Sequence, residues 1–202
     1  MSTVDSFVEF CESDFGSQIM DREAAYVADR LDDGDLVLNI GCGIGSLEAR
    51  LEHNIAGIDL SEPMIRAAQR RVDAPFILGD ARKLPVQEGS VDAVVFVATL
   101  EFIEEIHSVL EEAKRILRPG GAILALLMNT QSAYIQTNLE RDGSYFQQMV
   151  HRDSKMLADV IQEYITGRTE YFLGIDPEQR SVFSSDSPDE AAVLAVTGEI
   201  VK

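Results

Sequence analysis

The sequence predicts an α/β fold: an open, doubly wound, mostly parallel seven-stranded sheet with helices on both faces and its last strands antiparallel. Three observations predict it. Short apolar runs alternate with segments of helical period between residues 36 and 128, joined by short connections, and such alternation builds parallel sheets flanked by helices. The first run, Leu36-Val37-Leu38-Asn39-Ile40, empties into glycines at alternate positions, Gly41, Gly43 and Gly45. An acid, Asp59, returns 18 residues after Gly41, the span of one strand-helix-strand unit that brings a carboxylate back beside a glycine turn.

Each element follows from local chemistry. Residues 4–31 read as helix in two pieces broken near Asp14-Phe15-Gly16, with Ser17 capping the second piece and Ile19, Ala24, Val27, Ala28 and Leu31 on one apolar face. That helix either covers the sheet or contributes Phe15 and Gly16 to a lid over a ligand. The run from Leu36 is β-branched and leucine-rich, as a strand buried on both faces is. At Gly41, Gly43 and Gly45 the chain turns sharply, and a ligand can lie against bare backbone where any Cβ would intrude. Residues 46–51 then read as the start of a helix, with free amides at its first turn.

Ile55-Ala56-Gly57-Ile58-Asp59 is the second strand, after which Ser61 caps a helix carrying Pro63 in its first turn and Met64, Ile65, Ala68 and Val72 inward. Pro75 to Asp80 is a third strand, Val91 to Thr99 a nearly all-apolar fourth, and Ala122 to Met128 a fifth. The helix between the last two, from about Glu104 to Leu117, turns Ile106, Leu110, Ala113 and Leu117 inward and leaves His107 on the surface. Arg118-Pro119-Gly120-Gly121 ends it. Residues 130–152 are polar with scattered aromatics, Ser154 to Tyr164 reads as a helix capped by Ser154, and Glu170 to Ile175 and Ala191 to Val201 read as closing strands around a polar loop at 177–190. The whole, residues 1–202, reads as one domain: a ligand-binding core at about 15–130, an insertion and helix at about 130–170, and closing strands at about 170–202.

Composition narrows the function. With 35 acidic against 17 basic residues and a formal charge of −18, the surface repels nucleic-acid phosphates and anionic membranes, and a cationic or neutral ligand suits it better. Cys11 and Cys42 are too few for a disulfide framework or a cysteine-based metal site. The N-terminus lacks a signal-peptide pattern and no apolar run approaches a membrane span. These features lead to an expectation of a cytoplasmic protein with no metal, no nucleic-acid partner and no integral membrane association; the oligomeric state stays open.

The loops holding Gly41, Asp59, Asp80 and Thr99 all fall at strand carboxyl ends, where open sheets of this kind bind ligands. By spacing alone this suggests an adenosine-containing cofactor, with Asp59 accepting from both ribose hydroxyls and Asp80 accepting from an adenine amine or standing free in solvent.

Residues 38–45, Gly57 to Met64, Gly79-Asp80-Ala81 with Leu84-Pro85, Val91-Asp92 and Leu117 to Gly121 together resemble the ordered motifs of class I S-adenosylmethionine-dependent methyltransferases. The chain is similar in particular to the small-molecule branch that includes the ubiquinone and menaquinone biosynthesis methyltransferases. The resemblance covers about residues 15–130; Ser46 stands where the nicotinamide-binding pattern wants a third glycine or alanine, and Gly45 takes the place the methyltransferase pattern wants. It implies a cofactor, S-adenosyl-L-methionine, leaving as S-adenosyl-L-homocysteine, and a small-molecule methyl acceptor. It further implies that Asn39, Gly41, Cys42, Gly43 and Gly45 lie along the methionine part, Asp59 binds the ribose, Leu60 and Met64 flank the adenine, Asp80 with Ala81 reads its edge, and Val97 and Ala98 touch the cofactor near its sulfonium. Asn39 departs from the family, which places an acid there for the methionine ammonium. Neutral for charged hydrogen bonding at that point amounts to roughly 1–2 kcal/mol.

A sulfonium methyl is already electrophilic, so the protein needs chiefly to align an acceptor and exclude water, with a general base only if the acceptor must lose a proton. No catalytic residue is assigned. Candidates to touch the acceptor are Glu101, Tyr134, Tyr145, His151 and Arg152, each of which is otherwise structural or exposed. Two other readings stay open: a cofactor-binding protein without catalysis, for which Asn39 speaks, and a nicotinamide-dependent oxidoreductase on a similar sheet.

Overall fold

The computed structural model describes residues 3–176 and 178–201. Its centre is an eight-stranded sheet in the order β3-β2-β1-β4-β5-β8-β6-β7. The strands are β1 (Leu36–Ile40), β2 (Asn54–Asp59), β3 (Phe76–Leu78), β4 (Val91–Val97), β5 (Leu117–Met128), β6 (Ile165–Asp176), β7 (Ser181–Phe183) and β8 (Ala191–Ile200). The first five are mutually parallel. β8 inserts antiparallel between β5 and β6, and β7 pairs antiparallel with β6. The sheet thus has one strand more than expected: Ser181–Phe183 lies in the stretch expected to be a polar loop and extends the edge beside Gly174–Asp176.

Helices cover both faces. On one, α4 (Ile106–Ile116) and α6 (Ser154–Gln162) bury Ile106, Val109, Leu110, Ala113, Leu157, Ala158 and Ile161 against Leu38, Ile40, Val94, Phe96 and Ile123. On the other, α2 (Asp14–Ala28) packs Phe15, Ile19, Ala24 and Val27 against Val37, Val95, Leu124 and Leu126. Alternate residues of β1, β4 and β5 serve opposite cores, so these strands are apolar throughout. α1 (Thr3–Glu12), α3 (Glu62–Arg71) and α5 (Ala133–Glu140) complete the chain around the carboxyl ends of the strands.

Several local expectations shift. The break between the first two helices falls at Ser13, whose hydroxyl accepts from the Gly16 amide at 3.0 Å. Ser17 lies within α2 and accepts from Arg50 instead. Phe15 and Gly16 belong to the core rather than a lid, and a Cβ on Gly16 would stand 1.9 Å from the Phe10 carbonyl oxygen. Asp153, not Ser154, caps α6, accepting from the Met156 amide. Residues 46–51 form consecutive turns instead of a helix, with Ala49 and Leu51 amides reaching Gly45 and Leu47 carbonyls. Two of the sequence motifs prove structural: Asp92, at the amino end of β4, accepts from the Leu36 amide and pairs with Arg118 at 2.6 Å, far along the sheet from the glycine bend.

Phe96 is fully buried at the middle of the sheet. Phe96→Ala is expected to lower unfolding free energy by about 3–5 kcal/mol, measured by urea denaturation.

Candidate active site

The site grows from the end of β1. Gly41 (φ 78°), Gly43 (φ 54°) and Gly45 (φ 77°) all occupy the left-handed region, which L side chains enter only under strain. Two forces hold the bend. The Ile58 carbonyl at the end of β2 accepts from the Gly41 amide at 2.7 Å and the Cys42 amide at 3.1 Å. The Asp59 carboxylate accepts from the Gly43 amide at 2.9 Å through one oxygen and from the Ser61 amide at 2.8 Å through the other. Asp59 therefore joins the glycine bend to the start of α3 and keeps lone pairs outward. A Cβ on Gly41 would meet the Thr99 side chain at 2.3 Å, so β1 and β4 close tightly only around glycine.

Cys42 turns its side chain down, where it and Glu48 crowd Gly57; burial and the nearby carboxylates of Glu48 and Asp59 raise the thiol far above its ordinary range. Leu60 is 69% exposed at the rim beyond Asp59, and Met64 is half-buried beside Ile44 and Ala67. Ala98 carries a positive φ of 48° at the end of β4, a local strain of the kind that collects at functional sites. Asp80 meets its expected place at the end of β3 but is not free: Arg82 spans both its oxygens, at 2.7 Å to one, and also bonds Glu105. That pairing lowers its pKa.

Asn39, 2% exposed, donates through Nδ2 to Glu48 Oε1 at 3.0 Å. Asn39 Oδ1 and Glu48 Oε2 are buried without a hydrogen-bond partner. Burial is the main cause that pushes the Glu48 carboxyl up to about 7. A carboxylate therefore does stand beside the end of β1, supplied from the turn instead of the strand.

Over the carboxyl ends of β4 and β5 lies an aromatic roof. Tyr145, in the short 3-10 turn Tyr145–Gln148, packs on Phe102 with centroids 4.7 Å apart and on Phe7 of α1 at 6.2 Å. Tyr134 of α5 lies edge-on to Phe15 and Phe146. Phe7 stands directly over the bend, 3.7 Å from where a Gly43 Cβ would be. Beneath the roof, Glu101 is fully buried. Its Oε1 accepts from the Met128 amide at 2.5 Å, its carbonyl accepts from the Val150 and His151 amides, and its Oε2 has no partner. Glu23 approaches from α2, buried, and its carboxyl is raised to about 8 by burial, with the Glu101 charge adding to it and Arg50 opposing. Burial likewise raises Glu101 to about 7.

Of the acceptor candidates, the structure gathers Glu101, Tyr134 and Tyr145. It leaves two outside: His151 points Nε2 at the Ile103 carbonyl and lines a cleft with Glu104 and His107, and Arg152 reaches the Gln147 carbonyl on the surface. Sequence reading missed Phe7, Glu23, Glu48 and Phe102. Glu23 had a signal, being an acid between Ile19 and Val27 at successive four-residue steps on the apolar face of α2. Glu48 had none, because only the turn carries it back under Asn39.

A family model described as a methyltransferase domain matches residues 38–125. Residues 38–125 are a methyltransferase domain. The fold is shared by crystal structures described as S-adenosylmethionine-dependent methyltransferases. The chain is similar to a demethylmenaquinone methyltransferase of Symbiobacterium thermophilum, 31% identical over 46% of this chain and 42% of that protein. It is 28% identical to a ubiquinone biosynthesis O-methyltransferase of Dechloromonas aromatica over 72% of this chain and 66% of that protein. Among the first curated relatives it matches, the chain spans less than half of their length, 29% of one and 47% of another. The fold matches a crystal structure from Thermotoga maritima described as an S-adenosylmethionine-dependent methyltransferase, possible histamine N-methyltransferase, with a TM-score of 0.77, 22% identity, and 97% of this chain and 95% of that one covered. No helix among the described residues is long and apolar enough to cross a membrane.

Three buried carboxyls of the chain, Glu23, Glu48 and Glu101, have their pKa raised in the folded state. The folded state then holds more protons, so their stabilisation is complete below the unfolded pKa and is lost as pH rises through about 7 to 8. The melting temperature is expected to fall between pH 5 and pH 8.5, and Glu23→Gln to flatten the decline, as read by scanning calorimetry in both proteins.

Proposed function

We propose that this chain is a single-domain, cytoplasmic methyltransferase that moves the methyl of S-adenosyl-L-methionine to a small-molecule acceptor. The observation that carries the reading is the cradle: three left-handed glycines at alternate positions, with Asp59 tied to the second and to the start of α3. A Cβ at Gly41 would run into Thr99 and spoil the bend, while one at Gly43 would stand under Phe7, in the space the cofactor's amino-acid part takes. Asp59, with lone pairs left over from its two amide bonds, suits a ribose diol. Exposed Leu60 and half-buried Met64 offer apolar faces to the adenine, and Ala81 lies beside its edge; Asp80 takes part there only by sharing its carboxylate with Arg82.

The bound cofactor supplies an electrophilic methyl on sulfur. The protein's share is positional. The bend and Asp59 orient the cofactor, Ala98 and Val97 bound the space beside the reacting centre, and the roof of Phe7, Tyr134 and Tyr145 excludes water from it. Glu48, held by Asn39, is the carboxylate that meets the cofactor's ammonium, so the neutral residue at the end of β1 does not leave that charge unanswered. No observation favours the nicotinamide reading over this one.

Calorimetric titration with S-adenosyl-L-homocysteine tests the cradle: binding is expected, with Asp59→Ala weakening it at least tenfold, while NADH gives no heat. Binding of NADH in its place would overturn the assignment. Glu48→Gln is expected to weaken S-adenosyl-L-homocysteine by roughly 1–2 kcal/mol and to leave 5′-methylthioadenosine, which has no ammonium, unchanged. Adding Asn39→Asp to Glu48→Gln is expected to recover most of the loss.

A further inference from the structure

Two features under the roof go unused by the cofactor reading. Glu101 Oε2 is fully buried and partnerless. Glu23, buried on the facing helix, makes no ion pair or hydrogen bond among the described residues, and the two carboxylates feel each other's charge. Leaving a buried carboxylate oxygen unsatisfied is unfavourable by about 1–3 kcal/mol or more, and folds keep such groups where something else answers them. The nearby cations of the chain do not. Arg50 is bound to Asp21 at 2.6 Å, to Ser17 and to the Ser46 carbonyl, and Arg180 lies over the far side of Phe15, 5.2 Å from its ring centroid.

A structural role explains only half of Glu101. Oε1 ties the end of β5 to the segment after β4 through Met128, and the Glu101 carbonyl ties in residues 150 and 151. Nothing in that tethering requires Oε2 or a negative charge, since a glutamine would keep the Met128 bond. Around the carboxylates stand aromatic rings from five elements: Tyr145 tilted against Phe102 and Phe7, and Tyr134 edge-on to Phe15 and Phe146. Tyr145 packs on Phe102, the residue after Glu101, and on Phe7, which stands over Gly43, so its ring bridges the glycine bend and the segment that carries the buried acid. Rings with carboxylates behind them are the chemistry that selects an ammonium.

We infer that the methyl acceptor is an amine, held as its ammonium by Glu101 Oε2 and Glu23 within the rings of Tyr145, Tyr134 and Phe102. The inference rests on the methyltransferase reading and names its substrate class. Transfer then balances as follows. The ammonium gives one proton to Glu101 Oε2, freeing the nitrogen lone pair. That pair forms the nitrogen–carbon bond as the carbon–sulfur bond breaks, its electrons remaining on sulfur. The product leaves as an alkylated ammonium, and Glu101 returns its proton to water. The net charge of −18 favours approach of such a cation.

The test uses the full chain saturated with S-adenosyl-L-homocysteine, titrated calorimetrically with tetramethylammonium and with tert-butanol, a hydroxyl compound of similar size. Tetramethylammonium is expected to bind at least tenfold tighter than tert-butanol. Glu101→Gln, which keeps the Met128 tether, is expected to remove that preference while the protein still unfolds in one cooperative transition. Tyr145→Leu, which removes no bond of the tether, is expected to weaken the cation severalfold and leave the alcohol alone. Equal binding of the two probes, no binding of the cation, or a cation preference untouched by both variants overturns the amine assignment alone. Failure of the protein to take up S-adenosyl-L-homocysteine in the first place overturns the cradle as well.

Discussion

The structure depends on one contact: the end of β2 holding the turn that leaves β1. Parallel pairing aligns Ile40 with Ile58, and the next residues of the two chains meet as the Ile58 carbonyl takes the Gly41 and Cys42 amides and the Asp59 carboxylate takes that of Gly43. Four polar groups are thereby satisfied at a point where the backbone has left the sheet and would otherwise expose them. Only glycine tolerates the left-handed geometry that results. Everything that faces a ligand hangs on this turn, because it sets the height of Asp59, the opening above Gly43 and the contact with Thr99.

The second constraint is electrostatic. Glu23, Glu48 and Glu101 reach the carboxyl-end face of the sheet from three different elements, all nearly or fully buried. Buried carboxyls resist ionisation, and burial is the main cause of the raised pKa of each, opposed at Glu23 only in part by Arg50. Such a face is tuned for cations that arrive with ligands. A sulfonium, an amino group of a cofactor and an acceptor ammonium are the cations this chemistry brings, which is why acids that look costly for folding are consistent with a site.

Much of this was legible from residue order. The parallel strands announced themselves as apolar runs, most plainly β1, β4 and β5, whose alternate residues serve opposite cores, and the glycine bend and Asp59 did so because their spacing is set by the length of one strand-helix-strand unit. Ser61 as a cap followed from its own chemistry. Where local signals misled, a tertiary contact had decided: Ser17 can cap a helix, but Ser13 has the Gly16 amide in reach and Ser17 is taken by Arg50. Asp80 was placed correctly as to position and wrongly as to freedom, since Arg82 folds back on it.

Residue order by itself determined the parallel strands and the glycine bend, because those depend on periodicity and on backbone angles that a residue type either permits or forbids. Only the tertiary structure decided which acids share the site. Glu48 comes under Asn39 by a turn, Glu23 comes from a helix packed on the opposite core, and Glu101 meets Tyr145 across a gap of more than forty residues, while His151, equally promising in one dimension, points elsewhere. Proximity in space is a property of packing between distant segments, and no pattern of neighbours along the chain encodes it.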